Sequence, residues 1–265
     1  MNRKELEEWG QKWVPTFNEL SEKYNTVYYT QSPLDHIEDD VEVMLIGINP
    51  GGNGAGVTYV TPEEFLKGNP AWKERFKDGR NVWRYTNGVR FYLGYDSRRH
   101  DDTIDDDSRV VWTNLSPFAS ENGFSELKPE LRDAGIESTA ELISVLRPQQ
   151  IILHSANAFN LLDKYSGYSA ELQLEHIKVF DNLPLEIGRI SFQTETGQTV
   201  TIPTYQVKHP SGKWPVSHCF TSIFLYLLRL SDVYENGKPA KPLAQVRKDL
   251  RHEVKLWQSC IEVKD

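Results

Sequence analysis

The chain has 265 residues and a formal net charge of −8 at pH 7, with 38% hydrophobic and 11% aromatic residues. This length and composition are typical of a folded protein with a substantial core, either one large α/β domain or two small ones. The acidic balance argues against indiscriminate polyanion binding but is compatible with a local basic face. Its two cysteines, Cys219 and Cys260, are too few for an iron–sulfur cluster and lack metal-ligand spacing.

Membrane and secretion signals are not expected. No apolar run approaches the length of a membrane span, and Met1–Glu5 lacks the apolar segment of a signal peptide. Together with the few cysteines, this predicts a reduced, cytoplasmic location and no membrane partner.

The first part of the chain predicts a helix followed by a strand. Over residues 5–23, apolar side chains recur every three or four positions, which indicates an amphipathic helix despite Pro15. Val41–Ile48 is a mostly apolar run that breaks into Asn-Pro-Gly-Gly, typical of a buried parallel strand. Thr61–Glu64 reads as the start of a helix, and a further helix is expected over residues 80–95.

Further strands and helices alternate in the rest of the chain. Strands are expected at 109–114 and 150–154, a hairpin at 189–193 and 199–207, and helices at 136–146, 217–230 and 243–261. No repeat or long linker divides the sequence. We therefore expect one three-layer α/β/α domain over residues 1–265, with a central, mainly parallel four-stranded sheet and helical additions at both ends.

Polar side chains terminate three of the predicted strands. Asn49 follows the strand 41–48, Asn114 ends the strand 109–114, and His209 follows the second arm of the hairpin. Parallel strands would bring all three to one edge of the sheet, where open α/β sheets bind ligands. Taken singly, Asn49 or Asn114 could instead cap the next element, and His209 could be an ordinary loop histidine.

Two carboxamides and an imidazole favour binding of a planar, amide-like ring. An Asn side chain presents a donor beside an acceptor, which matches the O4 and N3–H edge of uracil. These groups do not readily supply a nucleophile or hold a metal ion. The three motifs contain no carboxylate, so chemistry by paired carboxylates has little support.

These motifs resemble the signatures of a known family. Gly47-Ile48-Asn49-Pro50-Gly51 and His209-Pro210-Ser211-Gly212 resemble the two motifs of the uracil-DNA glycosylase superfamily. Thr113-Asn114-Leu115-Ser116-Pro117 is similar to a strand end of its single-strand-selective branch. The motif order and strand contexts agree with the single-strand-selective and mismatch-specific branches, and the similar layout spans residues 41–230.

The resemblance implies hydrolysis of the N-glycosidic bond of uracil, or of a related damaged base, in DNA without metal or cofactor. Asn49 would position the attacking water, Asn114 would read the uracil edge, and His209 would stabilise the departing base through a hydrogen bond to O2. The resemblance also implies substrate contacts from the rest of the first motif, which are Gly47, Ile48, Pro50 and Gly51. Ser211 and Gly212 would bind a phosphate, and Lys213 or Trp214 would be the wedge residue that enters the duplex. Tyr59 would form the aromatic floor of the uracil pocket, with Phe65 as second choice.

Two other interpretations compete with the enzyme. A non-catalytic module on the same fold could bind single-stranded nucleic acid or a nucleotide. A phosphate-binding α/β protein could use the glycine-rich turn after Ile48, but the sequence there lacks both the P-loop Lys-Ser/Thr and the Gly-x-Gly-x-x-Gly spacing. DNA is the expected partner, and the sequence assigns no protein partner.

Overall fold

The computed structural model describes residues 3–30, 32–37, 40–52, 54–68, 109–155, 157–164, 173–178, 185–194, 196–207, 234–235 and 238–239. Within these ranges the helices are α1 (Arg3–Tyr24), α2 (Pro62–Leu66), α3 (Pro129–Leu146) and α4 (Ala158–Lys164). The strands are β1 (Val43–Gly47), β2 (Val110–Asn114), β3 (Gln150–His154), β4 (Gln173–Lys178), β5 (Leu185–Gln193), β6 (Thr199–Val207), β7 (Tyr234–Glu235) and β8 (Lys238–Pro239).

A mixed sheet forms the centre of the fold. Its six strands lie in the order β2-β1-β3-β6-β5-β4. β1 runs parallel to β2 and β3, and β3 runs parallel to β6, whereas β5 and β4 are antiparallel to their neighbours. The sheet therefore has six strands rather than the predicted four, because β5 and β4 extend the parallel part beyond β6. The predicted hairpin is confirmed as β5 and β6.

The described helices pack on one face of the sheet. Alternate residues of the strands, such as Met44, Val111 and Ile151, join a core with apolar residues of α1, α2, α3 and α4. Trp9 of α1 is buried there, and its indole N–H donates to the carbonyl oxygen of Ser138 in α3 at 2.9 Å. This core confirms the predicted first helix, which tolerates Pro15 in its interior.

The opposite face of the sheet is also buried. Apolar residues there alternate with those of the first core: Leu45, Trp112, Ile152 and Tyr205 are at most 2% exposed, and Val43 is completely enclosed. Burial of both faces explains why β1, β2 and β3 are apolar almost throughout instead of alternating between polar and apolar residues.

Local signals explain the ends of α2 and α3. Thr61 caps α2, accepting a hydrogen bond from the Glu64 amide while the Glu64 side chain bonds back to the Thr61 amide. α3 begins at Pro129 rather than at the predicted residue 136, because a proline at the first helical position has the backbone angle that a helix needs. It ends at Leu146, followed by Arg147 in the left-handed conformation (φ 46°).

Four aromatic rings pack together between α1 and the loops near the sheet. Phe17 and Tyr28 each pack against Phe65 and Phe118, and they contact each other, with ring centroids 5.5–5.8 Å apart. The Tyr28 hydroxyl donates to Oδ1 of Asn18 at 2.6 Å. The cluster joins α1 and α2 to the loop that follows β2.

Burial raises the pKa of the Tyr28 phenol above its ordinary value of 10.0. The folded protein therefore holds this proton more tightly than the unfolded chain, and the free energy of unfolding should fall as pH rises above that value. Tyr28→Phe should cost about 1 kcal/mol at neutral pH through the lost hydrogen bond. Urea unfolding at about pH 8 and about pH 11 should show a smaller alkaline loss in Tyr28→Phe than in the wild type. Equal losses in both proteins would contradict this assignment.

Candidate active site

The parallel strands bring two of the predicted polar ends to one edge. In the register of β1 and β2, Gly47 lies beside Asn114, and Asn49 follows two residues later. At the same edge His154 of β3 pairs with Val207, where β6 ends. The shared edge of the Asn49 and Asn114 strands is confirmed, and β6 ends two residues before His209.

The loops that follow β1 and β2 are hydrogen-bonded to each other. Backbone amides of the second loop donate to carbonyl oxygens of the first: Leu115 to Gly47 at 2.8 Å, Ser116 to Ile48 at 3.0 Å, and Ser120 to Pro50 at 3.1 Å. The two motifs therefore form one continuous backbone surface beyond the end of the sheet.

The carboxamide of Asn49 is oriented by two acceptors. Its Nδ2 donates to the Pro50 carbonyl oxygen at 3.0 Å and to the Ser120 hydroxyl oxygen at 3.1 Å. A flipped amide would place Oδ1 against the Pro50 carbonyl oxygen, which can only accept. Oδ1 of this half-buried side chain thus faces away from both and has no hydrogen-bond partner among the described residues.

Asn114 carries an unsatisfied donor. The residue is 4% exposed, and its Nδ2 is buried without a hydrogen-bond partner in the described part of the chain. An unbonded buried donor is costly, which favours a ligand acceptor at this position. The backbone oxygen of Asn114 is fixed separately by the Thr139 hydroxyl of α3, which donates at 2.9 Å.

Neither asparagine is a helix cap. Residues 115–123 are not helical, so no helix begins at Ser116 behind Asn114. The next helix after Asn49 is α2, and Thr61 caps it. The capping alternative is therefore wrong for both side chains.

Two further polar residues at this edge, His154 and Ser120, are not among the predicted site residues. His154 is fully buried on the same face as Asn114, and Gly47 lies between their strands without a side chain. His154 could have been identified from the sequence, because it is the polar end of an otherwise apolar strand. Ser120 had no local signal, because it meets Asn49 only through the folding of two distant loops.

Neither aromatic candidate is placed as a pocket floor. A floor needs a ring with one face packed and the other open to the ligand. Tyr59 is 82% exposed, and Phe65 is enclosed by the rings of Trp9, Phe17 and Tyr28.

The glycines of the first loop leave its backbone open. Apart from its two chain neighbours, a Cβ built on Gly51 would meet no atom within 4 Å, and both Gly51 and Gly52 are exposed. Gly52 has a φ of 120°, a left-handed conformation that favours glycine. A ligand can therefore approach this stretch of main chain closely.

The third motif lies outside the described residues. Its predicted site residues His209, Ser211, Gly212 and Lys213, and the neighbouring Trp214, are therefore not described. The predicted helices at 80–95, 217–230 and 243–261 also lie outside the described residues. Among the residues that are described, no group of three or more His, Cys, Asp or Glu side chains could hold a metal ion. In the same ranges no helix is long and apolar enough to span a membrane.

The fold and the site define an α/β protein with polar groups at the carboxyl edge of parallel strands. A scan against models of protein families gives no match to the chain, and a search of curated proteins gives no significant match. A function for this site is therefore inferred from its residues and geometry.

Proposed function

We propose that this protein is a uracil-DNA glycosylase-like hydrolase that cleaves the N-glycosidic bond of uracil, or of a related damaged base, in DNA. The observation that carries the proposal is the pair of asparagines at neighbouring strand ends. Asn49 offers an acceptor without a described partner, and Asn114 offers a buried donor without one. The resemblance of the three motifs to that superfamily supports the same conclusion.

Each asparagine has a role that its free atom can fill. Oδ1 of Asn49 accepts a hydrogen bond from a water molecule and aims it at the sugar. Because a carboxamide is not a base, the sugar must already carry oxocarbenium character when the water attacks. Nδ2 of Asn114 donates to uracil O4, and its Oδ1 can accept from N3–H.

His209 completes the proposed mechanism. It donates a hydrogen bond to uracil O2 and stabilises the negative charge of the departing base. β6 is two strands away from β1, which is about 10 Å at the usual strand spacing. One extruded nucleotide can bridge that distance, and leaving the base stack costs a few kcal/mol, on the order of 2–4.

The remaining proposed contacts are with the sugar and phosphate groups of the DNA. The open main chain at Gly51 suits close approach of the sugar and phosphate. By the resemblance, Ser211 and Gly212 hold a phosphate beside the extruded nucleotide, and Lys213 or Trp214 serves as the wedge. The proposal includes a three-layer α/β/α domain and a cytoplasmic location; burial of both sheet faces supports the former.

A second candidate is a non-catalytic module that binds single-stranded nucleic acid or a nucleotide on this fold. The net charge of −8 disfavours extensive contact with DNA phosphates, and a module that binds a nucleotide or a short single strand needs fewer such contacts. The same open acceptor and donor would then serve recognition alone.

The test is an excision assay with purified protein in EDTA. Labelled single-stranded and duplex oligonucleotides carry one uracil, hypoxanthine-containing strands serve as controls, and alkali reveals abasic sites. We expect strand breaks at uracil. Binding without strand breaks would favour the binding module. The absence of both binding and strand breaks would overturn both candidates.

A further inference from the structure

Ser120 links the loop after β2 to the proposed water-positioning side chain. It is 8% exposed, and its hydroxyl oxygen accepts a hydrogen bond from Nδ2 of Asn49 at 3.1 Å. The same hydroxyl donates to the carbonyl oxygen of Gly123 at 2.7 Å. Because its single proton is used there, Ser120 can only accept from Asn49.

The Gly123 carbonyl oxygen, which accepts the Ser120 proton, belongs to a residue with a restricted backbone conformation. Gly123 has a φ of 102°, in the region that favours glycine, and it precedes a short 3₁₀ turn at Phe124–Glu126. The hydrogen bonds therefore run in one direction, from the Asn49 amide to the Ser120 hydroxyl and on to Gly123. This direction excludes the flipped amide at Asn49.

The backbone of Ser120 is held independently of its side chain. Its amide donates to the Pro50 carbonyl oxygen at 3.1 Å, and the residue forms an isolated parallel bridge with Gly51. Removing the hydroxyl should leave the two loops joined. It would free the Asn49 carboxamide to rotate, because the adjacent Pro50 would be its one remaining acceptor among the described residues.

We propose that Ser120 is a positioning residue, whose hydroxyl holds the Asn49 carboxamide with Oδ1 facing the substrate. The kinetic part of this assignment rests on the proposed function, whereas the orientation of the amide does not. Ser120 acts through Asn49 and needs no contact with substrate.

The experiment compares Ser120→Ala, Ser120→Thr and the control Ser144→Ala. Ser144 donates its hydroxyl proton to the Glu141 carbonyl oxygen within α3, so its removal tests loss of a serine hydroxyl away from Asn49. Side-chain amide signals of ¹⁵N-labelled protein are recorded first, with the Asn49 pair assigned by its absence in Asn49→Ala. Steady-state excision of uracil from oligonucleotides gives kcat and KM for each variant.

In Ser120→Ala we expect one Asn49 amide proton to shift towards its value in a free amide, and the amide to exchange about tenfold faster with solvent. The kcat should fall about tenfold with KM changed by less than about twofold, because the substrate contacts remain. Ser120→Thr keeps the hydroxyl and should restore both signals and kcat. Ser144→Ala should match the wild type.

Two results would overturn the assignment: unchanged Asn49 amide signals in Ser120→Ala, or a Ser120→Thr variant as slow as Ser120→Ala. Circular dichroism shows whether each variant is folded. If the wild-type protein excises no uracil, the proposed function fails by itself. The amide signals still decide in that case whether Ser120 orients Asn49.

Discussion

Asn49→Ala is expected to lower the rate of uracil excision by about two to three orders of magnitude, the size of effect seen when a positioned polar group is removed from an active site. The change deletes the Oδ1 acceptor that has no described partner and so removes the hydrogen bond that would aim the water. Both hydrogen bonds of Nδ2 are lost as well. Because the side chain is half-buried, the stability cost should stay near 1 kcal/mol.

The measurement is single-turnover excision on a uracil oligonucleotide, with affinity for the same strand measured by fluorescence anisotropy. Asn122→Ala is the matched control. The Asn122 side chain donates to Glu126 at 2.7 Å on an exposed turn of the loop that follows β2. We expect Asn122→Ala to excise normally and Asn49→Ala to bind without excising. Full activity in Asn49→Ala would remove the water-positioning role from the proposal.

Gly135→Ala is expected to destabilise the protein by about 1–3 kcal/mol, the usual cost of overpacking. A Cβ at this position in α3 would lie 2.6 Å from both Cα and Cβ of Ser116 and 2.7 Å from its hydroxyl oxygen. The contact includes main chain, so a side-chain rotation cannot relieve it. Ser116 belongs to the loop that follows Asn114, and the displaced loop should reduce activity too.

The control for this prediction is Gly10→Ala in α1. Its added methyl group would meet Leu66 at 3.6 Å and Pro62 at 3.7 Å, which are ordinary contacts. Alanine is favoured over glycine inside a helix by roughly 0.5–1 kcal/mol, so Gly10→Ala should be neutral or stabilising. Urea unfolding followed by circular dichroism measures both variants. Equal responses at the two glycines would contradict close packing of α3 on the loop after β2.

The parallel strands and two candidate site residues could be predicted from the sequence, because burial on both sheet faces leaves a strong local pattern. β1, β2 and β3 are mostly apolar, and each ends at a polar residue or a glycine. Asn49 and Asn114 could be assigned to one edge because the direction of parallel strands determines where their ends lie.

Other features depend on contacts between distant segments and leave little local pattern. The link between Ser120 and Asn49 joins two loops across the sheet edge, and neither loop predicts the other. α4 is short, and β4 adds to the hairpin by pairing with β5. Tyr59 follows the first motif closely in the sequence, but closeness along the chain does not determine whether a ring is packed, and this ring is exposed.

The order of strands in the sheet has a consequence for synthesis of the chain. β1 is made first among the strands, yet its neighbours β2 and β3 follow much later, and β6 must still join β3. A nascent chain leaving the ribosome therefore carries an apolar strand with both edges unpaired from the synthesis of Gly47 until Val110 begins β2. Unpaired strand edges can pair with other chains, so we expect the nascent chain to be most prone to aggregation before β2 and β3 have been made.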